Sequence, residues 1–258
     1  MSSESTFYTD SLASQSWTTQ AGLNSNVDTA WRTTKFITAG WSVTTPGGTS
    51  ATISIGGASS VAFGNYAFEL YTSYLRFDTS ALGDDEEITG AHLAFYPTSI
   101  FNTTGVGSGF EKIIPYAGIT GGSDRPTFSS AVSNPTDFNW LCETAAGCSS
   151  GTCSNEGIVH LGDIPHSDLS AGSTNTIAIG ESTSYNTWVN RTGYTYITLT
   201  HAIWAGDEST YHACSHSNEA PYTPSGSQVI GMILKAGTSG DGPKLIINQG
   251  KTKFQMII

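Results

Sequence analysis

Four cysteines are the residues whose type and spacing say most about chemistry. Cys142, Cys148 and Cys153 are separated by five and four residues in a stretch rich in Gly and Ser, and Cys214 lies far downstream. Disulfides are the first reading: one pair stapling that stretch, another tying it to the later loop. Four cysteines permit three pairings, and the sequence does not choose among them. A zinc site of all four thiolates is the rival, although zinc knuckles normally use tight two-residue spacings. Free thiols are the third alternative. Synthesis in a reducing cytoplasm favours free thiols, and oxidation after release from the cell favours disulfides.

Carboxylates and histidines form a second set. Asp84-Asp85-Glu86-Glu87 is a Ca²⁺ candidate. Calcium takes six to eight oxygens, backbone carbonyls usually among them, and a run of four acids is more often a solvated turn. Beyond a structural Ca²⁺ there, no cofactor is expected. His212 and His216 flank Cys214. On a strand they would share a face about 13 Å apart, too far for one ion, so exposed loop histidines are the plainer reading. Arg76 and Asp78, two apart on one strand face, are expected to pair with each other or across strands in a structural role.

Sugar binding calls for flat aromatics flanked by acids and amides. Trp204, Asp207, Glu208, Tyr211, Asn218 and Tyr222 supply that set within one long loop, and Trp140 and Trp188 also lie in or beside loops. Aromatics equally fill cores and subunit interfaces. Catalytic signatures are lacking: there is no Gly-x-Ser-x-Gly elbow and no His-Glu-x-x-His. Gly250-Lys251-Thr252 has the end of a phosphate loop, but Leu245 stands where its first Gly belongs. The small stock of acids, mostly in turns, argues against a paired-carboxylate glycosidase. The expectation is therefore a protein without catalytic activity.

These residues need a scaffold, and the sequence spells one out in strands. Leu75 and Phe77 share one face of an alternating run and Tyr74, Arg76 and Asp78 the other; Ala91, Leu93 and Phe95 repeat the pattern after the acidic turn. A period of two is the signature of a half-buried strand. The two runs are expected to be partners at the heart of a β-sandwich. Further strands are expected at Ile53–Ile55, Glu111–Ala117 (Pro115 marking an edge or an end), Tyr194–His201, Val229–Lys235 and Leu245–Ile247. Leu75, Phe77, Leu93, Phe95, Ile177, Ile197, Leu199, Ile233, Leu245 and Ile247 are expected to face one core. A helical turn is entertained only near Ser182–Asn190. With 258 residues, 29 of them Gly, and no linker in the middle, the chain reads as a single all-β domain of antiparallel strands. Residues 1–26 would be an N-terminal arm or first strand, and 27–258 the sandwich domain with a Cys-rich insert at about 139–156.

Three blocks together resemble DNRLRE-type domains. They are Tyr74-Leu75-Arg76-Phe77-Asp78-Thr79-Ser80-Ala81-Leu82 with its turn and Ile88-x-x-Ala91-x-Leu93, then Tyr185–Leu199, then Gly242-Pro243-Lys244-Leu245-Ile246-Ile247. The resemblance implies a jelly-roll-like sandwich, similar to carbohydrate-binding modules. Such domains occur in secreted bacterial proteins and in structural proteins of tailed phages. Phe7-Tyr8-Thr9-Asp10 and Ala30-Trp31-Arg32-Thr33 resemble the phage members more; the Cys-rich insert has no counterpart in the pattern.

The resemblance implies a structural protein on the virion exterior, as a capsid decoration or a tail or fibre component, with host surface glycans as a further contact. The alternative is a carbohydrate-binding or adhesion module of a bacterial cell-surface protein. Ten basic against twenty-one acidic residues, net −11, make a poor nucleic-acid binder. Met1–Ser5 lacks the basic start and apolar core of a secretory signal, and no apolar run approaches the roughly 18 residues of a membrane span. The expectation is a chain made in a host cytoplasm and carried on the outside of a virion, or, in the alternative, found extracellularly or at a cell surface. Other virion proteins and further copies of this chain are the expected partners. The polar opening segment and the apolar Phe254–Ile258 are expected to order against a neighbour or the chain's own sandwich.

Overall fold

Alternating sequences become strands where each edge finds a partner for its backbone N–H and C=O groups. The computed structural model describes residues 2–18, 38–44, 52–62, 65–83, 87–101, 111–118, 158–201, 228–236 and 240–250. The polar opening segment is a long strand, β1 (Ser2–Thr18), followed by β2 (Thr38–Thr44), β3 (Thr52–Ala62) and β4 (Asn65–Asp78). After the acidic turn come β5 (Glu87–Phe95), β6 (Pro97–Phe101), β7 (Lys112–Gly118), β8 (Ile158–His160) and β9 (Ile164–Pro165). The series ends with β10 (Asn175–Ala178), β11 (Tyr194–His201), β12 (Gln228–Lys235) and β13 (Lys244–Gly250). Among the described residues the helical pieces are two single 3-10 turns, His166–Asp168 and Tyr185–Thr187. None is long and apolar enough to cross a membrane.

The strands form an all-β, jelly-roll-like sandwich in which every described pairing is antiparallel. The first sheet runs β10–β5–β13–β1, and the second is built around β4. β1 belongs to both. Ser2–Tyr8 pairs with β13, and from Thr9 onward the strand pairs with β4, with a register shift between Thr9 and Ser11. A bulge bends a strand and raises its twist, which is how one strand turns the corner between two sheets. The Thr9 amide bridges the change by donating to the carbonyl of Pro243, just before β13, at 3.2 Å.

The two anchor runs are not ladder partners. β4 has β1 along one edge, and β3 and β11 share the other. β5 lies between β10 and β13 in the first sheet. With both edges of β4 occupied, β5 has no edge left to join. β4 and β5 therefore belong to different sheets, and their apolar faces meet in the core. Leu75, Phe77, Leu93, Leu245, Ile247 and Ile197 are completely buried, and Phe95 and Leu199 nearly so. Ile177 is partly buried and packs against this cluster.

Ile233 corrects the expected phase of β12: it is only half-buried, while its neighbours Met232 and Leu234 face the core. β12 is apolar on both sides and pairs with β3 and β6, so hydrophobicity alone does not choose its inward face. Pro115 corrects another expectation, because β7 is an inner strand, between β11 and the short β8 and β9. Its carbonyl accepts from Leu161 in the gap between β8 and β9. A residue's N and C=O point to the same strand edge, so the missing proline donor falls where neither short strand pairs.

β3 and β12 meet at a glycine pair. Gly56 (φ 128°) and Gly231 (φ 134°) are register partners, and a Cβ on either would overlap the carbonyl oxygen beside the other. Only glycine allows both that φ and that backbone approach.

Truncating Phe77 or Phe95 to Ala is expected to cost about 3–5 kcal/mol in urea unfolding, as removal of large buried rings does. Leu234→Ala should cost at least twice as much as Ile233→Ala; equal losses would refute the inward phase of β12.

Candidate functional site

The glycan set, Trp204, Asp207, Glu208, Tyr211, Asn218 and Tyr222, lies outside the described residues, as do Trp140, His212 and His216. So do Cys142, Cys148, Cys153 and Cys214, and Asp84, Asp85 and Glu86 of the calcium run. Glu87 is described: it opens β5, exposed, opposite Gly250. Trp188 is not a surface platform. Its ring is completely buried against Gly180, where a Cβ would stand 2.9 Å from the indole.

Two clusters of polar residues organise the described part. The first clasps together separate blocks of sequence. The Thr79 hydroxyl is fully buried and lies 2.5 Å from the Asn190 carbonyl oxygen, 3.0 Å from that of Gly193 and 2.8 Å from Thr195 Oγ1. A hydroxyl has one proton, and here it goes to the nearest carbonyl, Asn190. The Thr195 hydroxyl then donates to Thr79 and accepts from the Asn190 amide at 3.0 Å. The Thr79 amide adds a bond to the Gly193 carbonyl. Outside the clasp, Arg191 donates to the Gly83 carbonyl, and Asp78 accepts from the amide and hydroxyl of Ser80. Those Ser80 bonds hold the Asp78 carboxyl below its usual range, with Arg76 adding a smaller push. The Arg76 guanidinium itself stands over the Tyr194 ring, 4.5 Å from its centroid, on the outer face of the second sheet.

The second cluster lies where β7, β9 and β11 meet. His201 ends β11 opposite Ile113 of β7, and Ile113 also pairs with Ile164 of β9. Two residues on, His166 opens a 3-10 turn and its amide donates to the Glu111 carbonyl at 2.8 Å. The side chains His166 and His201 meet edge to face, Nε2 to Nε2, at 3.1 Å. His201 is completely buried, His166 is 6% exposed, and His166 Nδ1 has no hydrogen-bond partner. Beside them, on the surface, Asp163 accepts from Lys112 at 2.9 Å and lies 3.1 Å from His160.

Burial lowers the pKa of both imidazoles. For His166 the nearby Glu111 carboxylate partly offsets this; for His201 the effect is large and His166 adds to it. Both are therefore neutral near pH 7. A hydrogen bond between neutral rings needs one donor and one acceptor. An unpaired buried lone pair is more readily tolerated than an unpaired N–H, so His166 is assigned its proton on Nε2, pointing at His201. His201 is sealed from solvent and His166 is barely exposed. Among the described residues no group of three or more His, Cys, Asp or Glu is placed to hold a metal.

Sequence reasoning did not single out this pair. A signal existed for one member: His201 has the phase of Thr195, Ile197 and Leu199, the inward face of β11. His166, in a short turn after a proline, had none.

The topology defines the protein as an all-β, antiparallel, jelly-roll-like sandwich with a polar clasp and a buried imidazole pair. A scan against protein-family models finds no match for the chain, and a search of curated proteins finds none.

Thr79→Val keeps shape but leaves the Asn190 carbonyl and Thr195 hydroxyl short of a partner; the expected loss is about 1–3 kcal/mol in urea unfolding. The histidines set a pH dependence. A depressed pKa means that the unfolded chain binds protons that the folded chain refuses, so stability is full above about pH 6.5 and falls below it. Urea midpoints at about pH 7.5 and about pH 5.5 should differ in that sense, and identical midpoints would contradict it.

Proposed function

We propose that this chain is a non-enzymatic structural protein of the outside of a phage particle, a capsid decoration or a component of the tail or its fibres, present in repeated copies. The observation that carries the reading is the meeting of the blocks that resemble DNRLRE-type domains. Thr79 of the first is bonded to Asn190, Gly193 and Thr195 of the second, and Pro243 of the third holds Thr9. Residues far apart in the chain thus serve as one structural unit, as a shared domain pattern requires. The low charge fraction of 12% also suits side-by-side tiling, because copies bring few like charges together. Host surface glycans are the outer contact in this reading, with Trp204, Asp207, Glu208, Tyr211, Asn218 and Tyr222 as the contacting set.

A second reading, a carbohydrate-binding or adhesion module of a cell-surface protein, is favoured by one feature: Tyr194 is 38% exposed on a sheet face beside Arg76. Exposed rings of this kind stack on sugars.

Mass spectrometry of purified virions should find the chain in many copies per particle, and light scattering should find an oligomer. Trp204→Ala with Tyr211→Ala should weaken attachment to host cells at an unchanged melting temperature. Absence from particles, together with tight glycan binding by a monomer, would replace the first reading with the second.

A further inference from the structure

The contact between His201 and His166 joins an inner strand to the corner that follows β8. That corner, residues 162–169, begins at Gly162, whose φ of 112° and open surroundings mark a pivot. Before the pivot, Leu161 is fixed on both sides: its amide donates to Pro115 and its carbonyl accepts from Gly180 at 2.7 Å. Beyond the corner, Asn175 ties the chain down, accepting from the Ser170 amide and donating to the Ser170 and Ser173 carbonyls. Between these fixed points the attachments described include the two-residue strand β9, the His166 amide on Glu111, the surface pairing of Asp163 with Lys112 and His160, the apolar side chains Ile164 and Leu169, and the imidazole pair.

We propose that the His166–His201 pair is an acid-sensitive latch, whose protonation frees the corner at 162–169 from β7 and β11 while the first sheet stays folded.

The geometry leaves a proton no comfortable place. On His166 it would go to Nδ1, creating a buried charged N–H with no acceptor. On His201 it would go to Nε2, setting two N–H donors against each other at 3.1 Å. Either ring takes the proton favourably only by leaving the contact for water. Around the pair, Glu111 and Lys112 stand on the β7 side, His160 at the end of β8, Asp163 between β8 and β9, and Asp168 in the turn. Glu111 attracts a proton to His166, so that ring is the first to charge. Asp163 is held to the surface by Lys112 and His160, which opposes release. Asp168 is exposed and bonded to Ser167. The balance favours opening, because Asp163 acts in water while the imidazole pair is dry.

Hydrogen exchange read by mass spectrometry from about pH 7.5 to about pH 5, corrected for intrinsic rates, tests this. Peptides covering 161–170 should lose protection by about tenfold per pH unit below about pH 6.5, one linked proton's worth. Peptides from β5 and β13 should keep theirs. A double variant, His166→Gln with His201→Gln, retains hydrogen-bonding groups that do not titrate and should abolish the difference. If it does not fold, NMR titration of the two imidazoles in the unmodified protein decides. Corner protection that follows the first sheet at every pH, or an imidazole of the pair that titrates at or above about pH 6.5, overturns the proposal.

Discussion

Hydrogen-bonding capacity at strand edges governs this molecule. β4 offers two edges, and three strands use them: β1 along one, β3 and β11 dividing the other. That saturation sends β5 to the opposite sheet. It also makes β1 valuable, because a strand of 17 residues is long enough to serve both sheets. The register shift at Thr9–Ser11 is where β1 changes partner from β13 to β4. Each sheet thereby acquires a strand from the same segment, and the corner between them is covalently continuous.

Where sheets end or chains cross, buried polar groups take over from the ladders. Thr79 and Thr195 sit inside the sandwich because each of their hydroxyls has partners, and between them they absorb backbone groups that would otherwise be stranded at the turn before β11. The imidazole pair is of another kind. It is satisfied at one atom of each ring by the other ring, while His166 Nδ1 is left over. A polar contact of that sort is stable only while both groups stay neutral. The clasp is indifferent to pH near neutrality and the imidazole pair is not, although both are buried side-chain hydrogen bonds between distant residues.

The proposed exterior role places different demands on the two layers. A tiled or attached protein needs a rigid frame, supplied here by the apolar cluster from Ile53 and Ile55 through Phe77, Phe95 and Trp188. Contacts with partners fall to the surface and to loops, where sequence is released from packing. Trp188 belongs to the frame, which removes one aromatic from the supply open to a glycan and leaves Trp140, Trp204, Tyr211 and Tyr222 as the loop aromatics of the sequence reading.

The central strands and most of the core were legible in the sequence, because side-chain alternation is a local property of the backbone. Leu75 and Phe77, Leu93 and Phe95, and Leu245 and Ile247 all followed from a period of two. Alternation has no phase where both faces are apolar, so Ile233 was placed wrongly and Met232 and Leu234 were missed. Pairing was not legible either: the acidic turn suggested a hairpin, while the true partners of β4 lie at Thr9–Thr18, Gly56–Ala62 and Leu199–Tyr194. Strand partners are chosen by competition for edges across the whole chain, which no local window contains. The same holds for the candidate site. The motif blocks were visible as sequence, and so was the inward phase of His201. Its meeting with His166, 35 residues away, exists only because β11, β7 and β9 are brought side by side. The sequence by itself determined the central strands and, for most of these, which face is dry; the tertiary structure alone decided the short flanking strands, which strands meet and which buried polar atoms find partners, because those outcomes depend on contacts between segments that local chemistry does not specify.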